Sequence, residues 1–302
     1  MINTEIKLGT LTLTNPVTVA SGTAGYGEEL SKYIDISRLG ALVTKGLSLE
    51  PRLGNTGNRI IETPSGVMNS IGLENVGIKR FLSEKLPFLN KTSATVIANV
   101  AGHSFEENIE LCRILNDAKG ISAIELNVSC PNVKEGGISF GKDPVMLGNL
   151  TAQARAVTKL PLIVKLTPNA PDIVACARSA KESGADAVSA MNTFLGCKID
   201  IDKKKPYFKN TFAGLSGPAI RPIVLRMVWE IYAQVDIPII GIGGIQTAED
   251  AIEFMMAGAS AISIGAANMV DPCVSIEILE GIIAFCSSHG IHRVSDLIGC
   301  AH

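Results

Sequence analysis

The sequence lacks the features that mark several large classes of protein. It contains no run of about 18 uncharged apolar residues, so no transmembrane helix is predicted. Residues 1–7 show no basic stretch leading into an apolar run, so no secretory signal is expected. The formal net charge is −2, which provides no basic field for nucleic acid or an anionic membrane. We therefore expect a soluble, cytoplasmic protein that binds neither.

Cysteine occurs 7 times, but never as a C-x-x-C pair and never beside histidine at metal-ligand spacing. No iron–sulfur cluster, zinc site or other metal site is therefore expected within this chain. An odd number of scattered thiols is typical of reduced cysteines in a reducing compartment. Most are expected to be small buried apolar side chains. The seven are Cys112, Cys130, Cys176, Cys197, Cys273, Cys286 and Cys300.

Charged residues are also scarce, at 19%, whereas hydrophobic residues make up 46% and the mean hydropathy is +0.29. This composition argues against disorder and predicts a sizeable core. A length of 302 residues is normal for one α/β barrel with insertions. Because no repeat, low-complexity tract or linker is evident, we expect a single domain over residues 1–302.

Short β-branched runs alternate with longer helical patterns along the chain. The runs are continuously apolar, which is typical of parallel strands covered on both faces. Eight such units predict an α/β fold in which a (β/α)8 TIM barrel closes on itself. The predicted strands are Val17–Ala20, Ala41–Thr44, Thr95–Val100, Ala123–Val128, Leu162–Leu166, Ala187–Ala190, Pro238–Ile242 and Ala261–Ile264. The predicted helices are Ser104–Asp117, Asp143–Lys159, Pro171–Ser183, Pro218–Val235 and Thr247–Ala257.

Three further segments stand outside this alternation. Residues 5–13 predict a small β-hairpin that closes the N-terminal end of the barrel. Residues 46–75 and 193–217 predict long loop insertions, and long loops in a compact domain are usually functional. Ser104 and Glu107 have the spacing of a capping box.

The working residues of such a barrel lie at the C-terminal ends of its strands. Lys45 and Lys165 follow apolar strands there, and a buried ammonium is rare without a partner. Each alone is compatible with a side chain that simply reaches the rim. Together they favour a bound anion, or an electron-rich ring that becomes anionic.

Amides and glycines occupy other strand ends. Asn99, Asn127 and Asn192 either cap loops or match a planar ligand rich in donors and acceptors. The seventh and eighth strands end in Gly-x-Gly-Gly and Gly-Ala-Ala, each leading towards a helix. Backbone N–H groups there predict a phosphate site, which many barrels share and which does not identify a reaction.

Cys130 follows the fourth strand, precedes Pro131 and opens a glycine-containing segment. It is compatible with a buried structural thiol. Its position after the strand end instead favours a general base, because a free thiol with a pKa of about 8.5 can act near neutral pH. The glycines that follow would allow the segment to act as a lid.

These residues resemble a known family. Residues Asn69–Leu73 (NSIGL), Asn127–Asn132 (NVSCPN) and Ile242–Ile245 (IGGI) are similar to the signatures of the dihydroorotate dehydrogenases. The resemblance runs from Asn15-Pro16 to Ile264-Gly265. The first two motifs are specific, whereas the glycine-rich one is shared with other flavin and phosphate barrels.

The resemblance implies oxidation of dihydroorotate to orotate in pyrimidine biosynthesis, with Cys130 removing a proton from C5 while hydride leaves C6 for N5 of FMN. It implies an FMN site at Ser21, Lys45, Gly46, Asn99, Asn127, Lys165, Met191, Gly217, Gly243, Gly244, Gly265 and Ala266. Lys165 would face the N1–O2 side of the ring, and the glycine pairs would hold the phosphate. Met191 departs from the isoleucine expected there. The substrate site is implied at Lys45, Asn69, Ser70, Ile71, Gly72, Leu73, Asn127, Asn192 and Thr193.

The cysteine base and the lack of an N-terminal helical extension resemble the soluble class of the family. Residues 133–137 (VKEGG) and 20–23 (ASGT) are more similar to its NAD-linked branch. That branch implies a partner subunit carrying FAD and a [2Fe–2S] cluster, in a heterotetramer of two catalytic and two electron-transfer chains. The other soluble branch is a homodimer that uses fumarate.

Other readings of the residues remain open. One is a different flavin barrel acting on a dihydropyrimidine or dihydrouridine, although a tRNA-acting enzyme needs a basic surface. A second is a non-redox phosphate barrel such as an aldolase or isomerase, which would be colourless even with added FMN. A third is a non-catalytic binding protein, which Cys130 and the two lysines disfavour.

Overall fold

The computed structural model describes residues 2–129, 131–132 and 138–302. Eight parallel strands close into a barrel in which the eighth strand pairs with the first. The predicted fold class is confirmed, and every strand ends within one residue of its predicted bounds. In chain order the barrel strands are Val17–Val19, Ala41–Val43, Val96–Val100, Ala123–Asn127, Leu162–Lys165, Ala187–Ala190, Ile239–Gly241 and Ala261–Ile264.

The barrel strands are short and buried along their whole length. Of their residues only Asn127, at the end of the fourth strand, is partly exposed. This pattern is expected because helices cover the outer face of a parallel barrel and side chains fill its interior. Several interior positions are nevertheless polar, among them Asn99, Glu125 and Lys165.

Helices surround the barrel. The five predicted helices are present, and two helical segments that the sequence analysis did not predict follow the second and eighth strands. The first to second strand connection contains two 3-10 turns, Leu30–Lys32 and Ile36–Arg38. The α-helices are Gly77–Arg80, Leu86–Leu89, Phe105–Asn116, Pro144–Val157, Ile173–Glu182, Arg221–Gln234, Ala248–Met256, Ala267–Val270 and Val274–Ser288. A π turn at Phe81–Lys85 joins the first two of these helices. Further 3-10 turns are Phe140–Lys142, Pro218–Ile220 and Val294–Leu297. In the part of the chain that the structure describes, no helix combines the length and the apolar character needed to cross a membrane.

The predicted capping box at Ser104 forms only in part. The Ser104 side chain accepts a hydrogen bond from the Glu107 backbone N–H. The Glu107 carboxylate does not return to Ser104; it accepts from the His103 backbone N–H instead. The reciprocal box occurs at Thr247 and Asp250, where each side chain accepts from the other's backbone N–H. The pattern at Ser104 therefore predicted the helix start correctly but not the partner of Glu107.

The predicted N-terminal hairpin is confirmed. Strands Ile6–Leu8 and Leu11–Leu13 pair antiparallel, and their apolar side chains are buried. A Cβ placed on Gly9 at the turn would come within 2.8 Å of Asp186, the residue before the sixth barrel strand. The hairpin therefore covers the N-terminal end of the barrel, opposite the strand ends that carry the predicted site.

The two long insertions are not loops throughout, since they combine into a four-stranded antiparallel sheet. In spatial order the strands are Phe194–Cys197, Phe212–Ser216, Gly66–Asn69 and Ile60–Thr63. Asn69 lies opposite Gly214, and this pairing joins residues 145 apart in the chain. Such long-range pairing leaves no local signal in the sequence. Shorter pairs are Ile199–Asp200 with Lys205–Pro206, and Pro131–Asn132 with Ile138–Ser139.

Candidate active site

A cavity of about 760 Å³ opens at the C-terminal ends of the barrel strands. Residues at or just after the ends of all eight strands line it, and the four-stranded insertion sheet forms part of its wall. This volume lies within the usual range for small-molecule sites. The barrel thus provides the floor, and the insertions enclose the space above it.

The structure brings together every predicted site residue that it describes. All of them line this one cavity, although they come from ten separate stretches of sequence. They are Ser21, Lys45, Gly46, Asn69, Ser70, Ile71, Gly72, Leu73, Asn99, Asn127, Lys165, Met191, Asn192, Thr193, Gly217, Gly243, Gly244, Gly265 and Ala266. The remaining predicted residue, Cys130, lies outside the described residues, as do residues 133–137 of the predicted lid. Its neighbour Ser129 lines the cavity.

The cavity is cationic although the chain as a whole is slightly acidic. Among the described residues that line it, Lys45, Arg59, Lys142 and Lys165 are basic, and Glu74 is the one carboxylate. Arg59 pairs with Glu74 and, by this hydrogen bond and its charge, lowers the pKa of the Glu74 carboxyl. A surplus of positive charge in a cleft attracts anionic ligands.

Burial lowers the pKa of Lys45, with Arg59 and Lys165 adding repulsion and Glu74 opposing it. The Lys45 backbone is held by a hydrogen bond from its N–H to the Gly25 carbonyl. Because the Lys45 ammonium is partly desolvated by burial, it gains more free energy from an anionic partner than an ammonium surrounded by water would. Lys45 is therefore suited to holding a carboxylate.

Beneath the cavity floor lies a carboxylate that the sequence analysis missed. Glu125, in the fourth strand, has only 1% of its surface exposed. Its Oε1 accepts from Asn99 Nδ2 at 2.6 Å, and its Oε2 accepts from Ser189 Oγ at 2.7 Å. Lys165 Nζ lies 3.6 Å from the same Oε1. A glutamate inside an apolar run (AIELN) was the available signal, because a buried charge needs partners.

Asn99 is oriented by this contact. Its Nδ2 donates to Glu125, which leaves Oδ1 directed away from that carboxylate. Among the described residues, this buried Oδ1 has no hydrogen-bond partner. A Cβ on Gly46 would come within 2.9 Å of the same oxygen. Because buried polar atoms are nearly always bonded, the oxygen is suited to accept a hydrogen bond from a ligand N–H.

Asn192 and Asn127 form a second network, at the ends of the fourth and sixth strands. Asn192 Nδ2 donates to Asn127 Oδ1 at 3.2 Å and to Ser129 Oγ at 2.9 Å. Asn192 Oδ1 accepts from the Thr193 backbone N–H. The amide of Asn192 is thus engaged within the protein. It occupies the Asn127 oxygen, whereas Asn127 Nδ2 has no hydrogen-bond partner among the described residues and can donate to a ligand.

The glycines of the cavity rim divide into two kinds. Gly217, Gly243 and Gly244 have positive φ angles of 103°, 154° and 74°, and a Cβ at each would meet protein atoms within 2.7 Å. A Cβ on Gly265 would have only Ala20 nearby, at 3.8 Å. The first three are therefore required by the fold, whereas Gly265 leaves space on the cavity side.

Further lining residues were not predicted from the sequence. Arg59 and Glu74 flank the predicted Asn69–Leu73 segment. Asn169 donates to the Thr193 carbonyl and accepts from the Leu195 backbone N–H, so it ties the fifth strand end to the insertion sheet. No local motif marks these positions, and only the folded chain brings them to the cavity.

None of the six cysteines that the structure describes lines the cavity. Cys112, Cys176 and Cys286 are buried, Cys273 is intermediate, and Cys197 and Cys300 are exposed, so the expected burial of most cysteines is not borne out among these six. Burial raises the pKa of Cys112 to about 12 and that of Cys176 to about 11. Burial therefore disfavours the thiolate form of both residues.

Comparison with known proteins places this geometry in context. A family model described as dihydroorotate dehydrogenase matches residues 3–286. The chain is 49% identical to the dihydroorotate dehydrogenase B (NAD(+)) catalytic subunit of Desulforamulus reducens, over 100% of this chain and 99% of the relative. The corresponding protein of Pelobacter propionicus is 50% identical over 97% of each chain. A putative dihydroorotate dehydrogenase A (fumarate) of Aquifex aeolicus is 51% identical over 99% of this chain and 98% of the relative.

Proposed function

The chain belongs to the dihydroorotate dehydrogenase family, and from this we propose that it oxidises dihydroorotate to orotate in pyrimidine biosynthesis and passes the electrons to NAD⁺ through a second subunit. The observation that carries the proposal is the cationic cavity at the barrel mouth. It gathers all the described residues at which the family resemblance implies cofactor and substrate contacts.

The residues of this cavity fit FMN. The unbonded Asn99 Oδ1 suits a ring N–H, the lysines suit a phosphate and a ring that gains negative charge, and the rim glycines suit close approach by a phosphate. When bound, FMN supplies the acceptor for the hydride that leaves the substrate. The residues that would hold it are Ser21, Lys45, Gly46, Asn99, Asn127, Lys165, Met191, Gly217, Gly243, Gly244, Gly265 and Ala266.

The buried ammonium of Lys165 is positioned to stabilise negative charge on the reduced ring. Lys165 is 5% exposed at the end of the fifth strand, where its ammonium lines the cavity floor. A fixed positive charge in a site of low dielectric stabilises negative charge that develops nearby. Lys165 thus favours reduction without having to move.

Substrate binding is assigned to the residues around Lys45. Lys45 holds the carboxylate, and Asn127 donates from the Nδ2 that its contact with Asn192 leaves free. Asn192 and Thr193 close the opposite side, with Asn192 also acting through Asn127. The segment from Asn69 through Ser70, Ile71 and Gly72 to Leu73 begins in the insertion sheet and lines the cavity wall.

Cys130 is proposed as the general base that removes the proton from C5 of dihydroorotate. Support comes from its direct neighbour Ser129, which lines the cavity and is held by Asn192. The described cysteines offer no alternative, because none of them reaches this cavity. A thiolate there would accept the proton while hydride leaves from C6.

The electron acceptor is inferred from the relatives and from the sequence. The relatives from Desulforamulus reducens and Pelobacter propionicus are named as NAD⁺-linked catalytic subunits. This sequence contains no Gly-x-Gly-x-x-Gly fingerprint between a strand and a helix. We therefore assign FAD and a [2Fe–2S] cluster to an electron-transfer partner, in a heterotetramer with two copies of each chain.

A second candidate is the fumarate-using homodimer, which the Aquifex aeolicus relative favours by its name. One experiment separates the two. The chain is purified with and without its co-expressed genomic neighbours, the released flavin is identified, and dihydroorotate oxidation is assayed with NAD⁺, fumarate and a quinone in parallel.

We expect a yellow protein that releases FMN and reduces NAD⁺ efficiently only with the partner. Efficient fumarate reduction by the chain alone would support the homodimer instead. Finding no flavin after reconstitution, or no oxidation with any acceptor, would refute the proposed activity itself.

A further inference from the structure

The buried carboxylate of Glu125 is not among the cavity-lining residues, yet it contacts two that are. It bonds Asn99 through Oε1 at 2.6 Å and lies 3.6 Å from the ammonium of Lys165. Its other oxygen is held by Ser189 at 2.7 Å. These three partners come from the third, fifth and sixth strands, so Glu125 ties together the floor of the barrel.

Burying such a carboxylate costs free energy, so its presence needs a functional explanation. An ionised group without partners is strongly disfavoured in an apolar interior, and replacement of a buried ion pair by apolar residues is often neutral or stabilising. The side chains of Lys165 and Glu125 are only 7% and 1% exposed. Fold stability is therefore a weak explanation for this pair.

We propose that Glu125 is a positioning residue that keeps Lys165 protonated in both redox states and holds Asn99 with Oδ1 facing the cofactor. The inference rests on the proposed FMN site. Its consequence is that reduction of the bound flavin takes up no proton at Lys165. The charge opposite the ring is then present before the electrons arrive.

The other charged groups around Lys165 oppose this state. Lys45, on the second strand end, is close enough for the two ammonium charges to repel each other. Lys142 and Arg59 line the same cavity and add positive charge, whereas Glu74 is paired with Arg59 at the wall. Glu125 is therefore the carboxylate that balances Lys165 within the described residues.

Glu125→Gln removes this charge with little change in shape. A glutamine oxygen can still accept from Asn99, and its amide can donate to Ser189 Oγ. Lys165 is left with neighbouring positive charges and releases its proton more readily in the oxidised enzyme. The negative charge of the reduced ring then replaces the lost carboxylate. Reduction is consequently accompanied by uptake of one further proton from solvent onto Lys165 Nζ.

The readout is the two-electron midpoint potential of the bound flavin as a function of pH. One additional proton for every two electrons steepens the slope by about 30 mV per pH unit, because a tenfold change in concentration is worth that amount for a two-electron couple. We expect this steeper slope in Glu125→Gln over part of the neutral to alkaline range. Ser189→Ala, which removes a contact of Glu125 but no charge, should keep the wild-type slope.

An unchanged slope in Glu125→Gln with FMN bound would overturn the inference. If Glu125→Gln does not fold, the wild-type slope decides. The flavin alone takes up at most two protons for two electrons, or about 60 mV per pH unit, so a steeper wild-type slope would overturn the inference. Failure of the wild-type chain to bind FMN would instead overturn the proposed function.

Discussion

Alanine at Gly244 and at Gly265 should produce two different defects, although both glycines line the same rim of the cavity. Gly244 has φ +74°, and a Cβ there would lie 2.7 Å from the Gly217 carbonyl oxygen. Gly265 is outside the positive-φ region, and its added Cβ would have Ala20 at 3.8 Å. Alanine at Gly244 is thus strained by the protein itself, whereas alanine at Gly265 occupies cavity space.

The expected magnitudes follow from these contacts. A left-handed conformation costs a non-glycine residue about 1–2 kcal/mol, and overpacking against the backbone adds about 1–3 kcal/mol. The total for Gly244→Ala is about 2–5 kcal/mol. For a chain of 302 residues, about 2 °C of Tm is lost for each kcal/mol, so we expect a fall of about 4–10 °C.

Gly265→Ala should leave the Tm of the flavin-free protein almost unchanged. If the proposed phosphate site is right, the methyl group competes with the cofactor for space. An overpacking cost of about 1–3 kcal/mol then appears in binding and weakens FMN affinity by roughly 5-fold to 150-fold.

The assay combines thermal unfolding of flavin-free protein by circular dichroism with titration of FMN into the same preparations. The two variants serve as matched controls for each other, because both add one methyl group to the same rim. A normal Tm for flavin-free Gly244→Ala would refute the steric argument. Normal FMN affinity in Gly265→Ala would show that the cofactor does not approach this position.

The remaining predictions concern the base, the substrate anchor and the core. Cys130→Ser should slow flavin reduction sharply near neutral pH, with partial recovery at high pH, because a hydroxyl is harder to ionise than a thiol. Near-normal rates of flavin reduction in Cys130→Ala, measured by stopped flow, would count against Cys130 as the base. Lys45→Ala should cost about 1.5–3 kcal/mol of orotate binding by calorimetry, and unchanged affinity would place the carboxylate elsewhere. Because burial lowers the pKa of Lys45, wild-type orotate affinity should weaken as pH rises through the alkaline range, and a matching pH dependence in Lys45→Met would contradict this origin. Phe254→Ala, at a fully buried position, should lower the urea unfolding free energy by about 3–5 kcal/mol, and a loss below 1 kcal/mol would contradict its place in the core.

The barrel strands were predictable because their signal is local. A run such as Leu162–Lys165 is covered on both faces, so each of its residues must be compatible with burial, and the pattern is visible without any knowledge of neighbours. Helix starts such as Thr247 were predictable for the same reason, since the cap and the first turn are adjacent in sequence. The helix Val274–Ser288 was missed although its residues are largely apolar.

The candidate site residues could be selected from sequence because strand ends in a barrel converge on one face. Lys45, Asn99 and Lys165 were recognised as polar groups beside apolar strands, and the cavity contains all three. Their roles depended on the family resemblance, since local chemistry left alternatives open for each of them. The assignment of Cys130 stays a prediction, because it lies outside the described residues.

Sequence alone determined the barrel, the N-terminal hairpin and the set of strand-end residues, because each rests on patterns within a few residues of one another. Tertiary structure alone decided which groups meet. It joined Asn69 to Gly214 across the insertion sheet, and it placed Glu125 between Asn99 and Lys165. It also engaged the amide of Asn192 within the protein. The physical reason is that hydrogen bonds and ion pairs depend on distances of about 3–4 Å in space, and residues far apart in the chain reach those distances only when it folds.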